Sequence, residues 1–132
     1  MAEIRTLQAK RGEILGPLHG IPFAVKDIID VEGLPSRCNS KALQDRPPAK
    51  ADAEIILALK GLGAIPLGKA HTTEFAFFDP SPARNPHNTD HTPGGSSSGS
   101  AAAVASGTAP FALGTQPLAS LNRPAAYCGI AG

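Results

Sequence analysis

An α/β fold is predicted by three observations. Short apolar strand candidates at 21–25, 64–68 and 111–115 alternate with helix-forming segments. A Pro-Gly-Gly turn at 93–95 leads through serines into an Ala/Val-rich helix former. With 42% hydrophobic residues in 132, the composition is that of a globular protein of at most one ordinary domain.

Taken in order, residues 3–14 mix charge with Ile4, Leu7, Ile14 and Leu15 and predict a short amphipathic helix, which Gly16-Pro17 breaks. Ile21 to Val25 predicts a buried strand, and Lys26 follows it directly. Asp52 is the expected N-cap of a helix over 53–61, with Ile55, Ile56, Leu59 and Leu62 as its apolar face and Gly61 and Gly63 as its end. The strand at 64–68 contains Pro66, which points to a sheet edge or an irregularity. Residues 79–95 are rich in Pro, Asn, His and Asp and predict a loop. A helix over about 97–106 and a strand over 111–115 follow.

Composition excludes several functions. Lys and Arg total 12 and Asp and Glu 11, so no excess charge draws the chain to nucleic acid or an anionic membrane. Trp is absent, which argues against base-stacking platforms. No segment approaches the ~20 apolar residues of a membrane span, and no apolar run follows Met1 as in a signal peptide. A cytoplasmic location is the resulting expectation. Cys38 and Cys128 have no metal-type spacing and read as reduced thiols.

Among candidate sites, Gly63 to Ala70 fits a phosphate-loop pattern except at Ala70, where the hydroxyl that would ligate magnesium is missing. His87 and His91 lie four apart in a Pro- and Asn-rich loop without a third ligand, so no metal site is expected; they and His19 read as hydrogen-bonding loop residues. The serine-lined helix end at Ser96–Ser98 suits an anion or a hydroxyl that passes on a proton. Lys26 at the end of an apolar strand meets the burial condition for a neutral lysine base. Ser120, in a turn after the third strand, fits a nucleophile with backbone N–H groups around it.

The stretches 16–30, 33–35, 68–69, 74–76, 85–86, 93–100 and 114–129 together resemble the amidase signature family, with details nearest its malonamidase-like and general amidase branch. The resemblance runs in order from about Gly16 to Gly132. It implies part of a mixed central β-sheet flanked by helices, residues 1–15 being an N-terminal helical segment and 16–132 the signature core. It also implies a Ser–cis-Ser–Lys triad of Lys26, Ser96 and the nucleophile Ser120, with the Ser96 peptide bond cis and no metal or cofactor. Ser98 would add a hydrogen bond, and Arg123 would bind a substrate carboxylate or equally serve in a structural ion pair or carbonyl contact. The implied reaction is hydrolysis of a small-molecule amide through an acyl-enzyme. The Gln116 form of the loop and the 85–88 segment suit simple amidases better than the amidotransferase members of the family.

Two departures qualify that expectation. The family pattern before the nucleophile is Thr-Gly/Ala-Gly, where this chain has Pro117-Leu118-Ala119. These residues with Ser120 form the loop whose N–H groups would hold the oxyanion, and Pro117 has no N–H. Family members also run to several hundred residues. The chain is therefore expected to be a truncated amidase, a non-catalytic remnant, or one part of an assembly completed by a homodimer partner or a C-terminal amidase segment.

Overall fold

A computed structural model describes all residues, Met1 to Gly132. Its elements are helix α1 (Ala2–Lys10), strand β1 (Pro22–Lys26), helix α2 (Glu54–Gly61), strand β2 (Ile65–Ala70), helix α3 (Ser98–Ala105), strand β3 (Phe111–Leu113) and helix α4 (Asn122–Cys128). Single 3-10 turns lie at Lys41–Leu43 and Glu74–Ala76. The three strands form a parallel sheet in the order β2-β1-β3, the α/β arrangement expected. No helix is long and apolar enough to cross a membrane.

β1 is central and most buried. Successive side chains of a strand point to opposite faces. Phe23 and Val25 face a core that includes Val31, Ile56 and Ala64, with Leu59, Phe111 and Leu113 packed against it. Phe23 stacks on its register partner Phe111, ring centroids 5.2 Å apart. By the same alternation Lys26 projects to the other face, where α3 packs. Pro66 has its expected consequence: the β1–β2 register slips between Phe23 and Ala24, leaving Leu67 without a partner, and β2 pairs only with β1.

Several local expectations are corrected. The first helix stops at Lys10 and buries none of its residues; Ile4, Leu7, Ile14 and Leu15 are all exposed. It is tied down by polar contacts instead, chiefly His19 Nε2 with the Arg5 carbonyl at 2.9 Å. Asp52 does not cap α2: Ala53 holds the N-cap position, and the Asp52 carboxylate accepts from Lys60 Nζ and from the Glu32 amide. Burial pushes the Asp52 carboxyl up, but the hydrogen bonds from Lys60 and the Glu32 amide outweigh it and hold the group below its ordinary pKa. The buried face of α2 is carried by Ile56 and Leu59, three apart, while Ile55 and Leu62 are exposed. β3 ends at Leu113, so Gly114 and Thr115 leave the sheet.

The serine run departs most from expectation. Ser97 stands at the N-cap of α3 without capping it, and the hydroxyls do not gather around the helix N-terminus as anion ligands. Ser97 Oγ donates to the Thr115 carbonyl, Ser98 Oγ to the Gly94 carbonyl and Ser100 Oγ to the Leu113 carbonyl. These bonds fasten α3 to its own turn and to the end of β3. Gly99 makes this approach possible, because a Cβ there would collide with the His71 backbone.

Candidate active site

Three segments converge at the carboxyl end of β1. β1 delivers Lys26, the turn before α3 delivers Ser96, and the segment leaving β3 delivers Thr115 and then Ser120. The topology dictates the meeting: Val25 pairs with Leu113 in parallel register, so both strands run out at the same end.

Lys26 is fully buried. Its Nζ donates to Ser96 Oγ and to Thr115 Oγ1, each at 2.7 Å. Burial lowers its pKa from 10.5 to about 8, with no charged neighbour contributing. The adjacent Asp27 is turned away to Lys69, 2.9 Å distant. An amine so placed is neutral in a useful fraction near neutral pH and sits at hydrogen-bonding distance from a hydroxyl.

Ser96 is held from several sides. Its peptide bond with Gly95 is cis. Its carbonyl accepts from Thr72 Oγ1 at 3.0 Å and from the Thr73 amide at 3.1 Å. Ser96 Oγ is thereby fixed against Lys26 by backbone contacts that leave the hydroxyl free for proton transfer.

Ser120 lies close in the chain path but is not joined to this pair by its side chain. Its carbonyl accepts from the Ser97 amide at 3.0 Å, which ties the two segments together. Its Oγ instead faces the Leu118 carbonyl at 3.5 Å. The loop before it is open: Pro117, Leu118 and Ala119 are exposed, Leu118 to 80%. Ala119 has φ +56°, a left-handed conformation that disfavours any residue with a Cβ. Glycine suits that position, and the family pattern places glycine there.

The remaining expected residues fall as follows. Ser98 is buried, and its hydroxyl holds the Gly94 carbonyl at 2.7 Å; it does not bond the lysine pair. Arg123 is exposed on the first turn of α4, and its guanidinium makes no hydrogen bond or ion pair within the chain. Asn85 Nδ2 donates to the Tyr127 carbonyl and His87 Nε2 meets the Cys128 carbonyl, so the 85–88 loop holds the end of α4. Cys38 and Cys128 are free thiols, and burial raises the pKa of both.

Sequence reasoning missed four contributors: Thr72 and Thr73 behind Ser96, Thr115 beside Lys26, and Gln116. The Gln116 side-chain oxygen accepts from the Leu121 and Asn122 amides at 2.9 and 2.8 Å and so supplies the cap that α4 lacks locally. A parallel β1–β3 pairing, had it been assumed, would have placed Thr115 near Lys26. The threonines behind Ser96 left no signal, since their roles arise from the path of the loop.

The Amidase family profile matches residues 1–132. The chain belongs to that family. Over 97% of its length it is 49% identical to the A-type subunit of glutamyl-tRNA(Gln) amidotransferase from Treponema pallidum (strain Nichols), covering 26% of that protein. It is 42% identical over 99% of its length to the AtzE subunit of 1-carboxybiuret hydrolase from Pseudomonas sp. (strain ADP), covering 30% of it. The native peptide amidase of Stenotrophomonas maltophilia superposes with a TM-score of 0.85 at 38% identity, over 94% of this chain and 27% of that one. The chain thus spans under a third of the length of these relatives. Amidotransferases and hydrolases match at comparable identity, so identity alone does not separate the two branches.

Proposed function

We propose that this chain carries the Lys–Ser–Ser machinery of an amidase acting on a small-molecule carboxylic amide. The observation that supports it best is the buried Lys26 amine, 2.7 Å from Ser96 Oγ, with a pKa lowered to about 8 by burial alone. In this reading Lys26 draws a proton from Ser96 as Ser96 draws one from Ser120. Ser120 Oγ then forms a bond to the amide carbonyl carbon, and loop N–H groups hold the oxyanion. The proton returns through Ser96 to the leaving nitrogen as the C–N bond breaks. Water hydrolyses the ester, restoring Ser120 and releasing the acid. In this reading Arg123, exposed and without a partner in the chain, binds a carboxylate on the substrate's far end. Residues 16–132 form the catalytic part and 1–15 an appended segment, completed in the working protein by further amidase chain, whether a C-terminal segment or a partner copy.

A second reading, an amidase-like chain without turnover, is favoured by two features: Ser120 Oγ faces the Leu118 carbonyl, and the preceding loop lacks both the glycines and one N–H. A serine-directed fluorophosphonate probe separates the two. The first reading expects slow labelling at Ser120, abolished in Ser120→Ala and reduced in Lys26→Met and Ser96→Ala. No labelling of Ser120, even with residues 117–119 replaced by Thr-Gly-Gly, supports the second. Labelling that ignores Lys26→Met removes the lysine from the mechanism.

A further inference from the structure

Lys26 makes two hydrogen bonds of equal length, and the proton relay uses only the one to Ser96. A neutral amine has two N–H groups and one lone pair. To act as a base it must aim the lone pair, not an N–H, at the Ser96 hydroxyl. In a site this buried, an amine with no other acceptor would turn an N–H toward Ser96 Oγ. Thr115 Oγ1 supplies the alternative acceptor at 2.7 Å.

Thr115 is itself held in place. Its amide donates to Ser97 Oγ at 3.2 Å, and the same hydroxyl donates back to the Thr115 carbonyl at 3.4 Å. Ser97 directly follows Ser96. The two acceptors facing Lys26 are therefore spaced by a single residue, and their separation does not depend on the exposed loop that follows.

We propose that Thr115 is a positioning residue for Lys26: its hydroxyl takes one N–H of the amine and so turns the lone pair toward Ser96. This rests on the reading of Lys26 as the base. The titratable groups on the packed elements are few. β1 carries Asp27 beyond Lys26, and β2 carries Lys69 with His71 just after it. Asp27 pairs with Lys69, and none of the three contributes to the Lys26 shift. β3, α3 and the segment 114–120 carry no ionisable side chain. The threonine hydroxyl is thus the one group besides Ser96 bonded to the amine.

The test follows the Lys26 Cε resonance against pH in the full chain labelled with 13C-lysine, assigned by its loss in Lys26→Met. An acceptor stabilises the ammonium more than the amine. Thr115→Val and Thr115→Ala are therefore expected to lower the midpoint by roughly half a pH unit or more, and Thr115→Ser to restore it. On the pH plateau, Ser120 labelling should fall about tenfold in the first two variants and recover in Thr115→Ser. An unmoved midpoint in both Val and Ala variants, or a Ser variant that behaves like them, overturns the proposal. Failure of the underlying reading looks different: the midpoint shifts as expected, but labelling ignores Lys26→Met.

Discussion

Lys26 and Ser96 are buried, and they are bonded to each other and to threonines just past the ends of β2 and β3. Ser120, a few residues beyond β3, stands at the end of an exposed loop that contains a left-handed alanine and a nearly fully exposed leucine. The contrast separates two needs of one chemistry. A lysine base must be desolvated, so it is built from core strands and inherits their order. An oxyanion loop must curl its backbone around substrate, so it depends on residues with no Cβ and a free N–H. Substitutions there are expected to spare the sheet and to act on the geometry that the proposed reaction needs.

The largest expected effect comes from repairing that loop. Replacing Pro117-Leu118-Ala119 by Thr-Gly-Gly restores an N–H and two flexible positions, and Ser120 labelling should rise by about 10²–10³. A rise below about threefold would mean that the two halves differ in appearance only. The next effect lies on the other half. Because the folded pKa of Lys26 is about 8 and its unfolded value is 10.5, the unfolded state binds more protons between those values. Stability should then climb with pH from about 8 to 10.5, by up to about 1.4 kcal/mol per pH unit. Below pH 8 the contribution is flat, since both states hold the proton. Denaturant unfolding at several pH values checks this. Lys26→Met should flatten the climb, and an unchanged slope would show that the lysine is not the group responsible.

How far the sequence could be read follows the same division. Lys26 was legible because a lysine directly after an apolar strand is an anomaly that burial explains. The α/β alternation and the Pro66 irregularity followed from period and backbone chemistry, whereas the parallel pairing of the strands came from the structure. The roles of the serines were not legible, because a hydroxyl that caps a helix and one that fastens it to a neighbouring strand look alike in sequence. Ser97 is the clearest case, since its partner Thr115 is 18 residues away. Asp52 failed for a similar reason: Lys60 and the Glu32 amide outcompeted the local N–H groups that an N-cap would bond. The conformation of Ala119 was invisible for want of any local signal beyond its departure from the family pattern.

Ala119→Gly tests the loop by stability alone. Relieving a left-handed alanine should gain about 1 kcal/mol in unfolding free energy, after the extra chain entropy of glycine is subtracted. A loss of stability would mean that φ +56° is not the conformation the loop holds in solution.

A stability effect of similar size, with no effect on the base, is expected at Gln116, which links the two regions. It begins the exposed loop, yet its side-chain oxygen takes two amides at the start of α4, the helix that carries Arg123. Asn85 and His87 hold the last carbonyls of the same helix, so its two ends are fixed by side chains from different segments. Gln116→Ala should cost about 0.5–2 kcal/mol, as for loss of an N-cap, and leave the Lys26 midpoint unchanged. Gln116→Glu should keep most of the stability, because the carboxylate accepts both amides and favours the helix N-terminus. A shift of the Lys26 midpoint in Gln116→Ala would mean that the loop and the base are coupled through Thr115, and the division between a rigid half and a loose half would have to be given up.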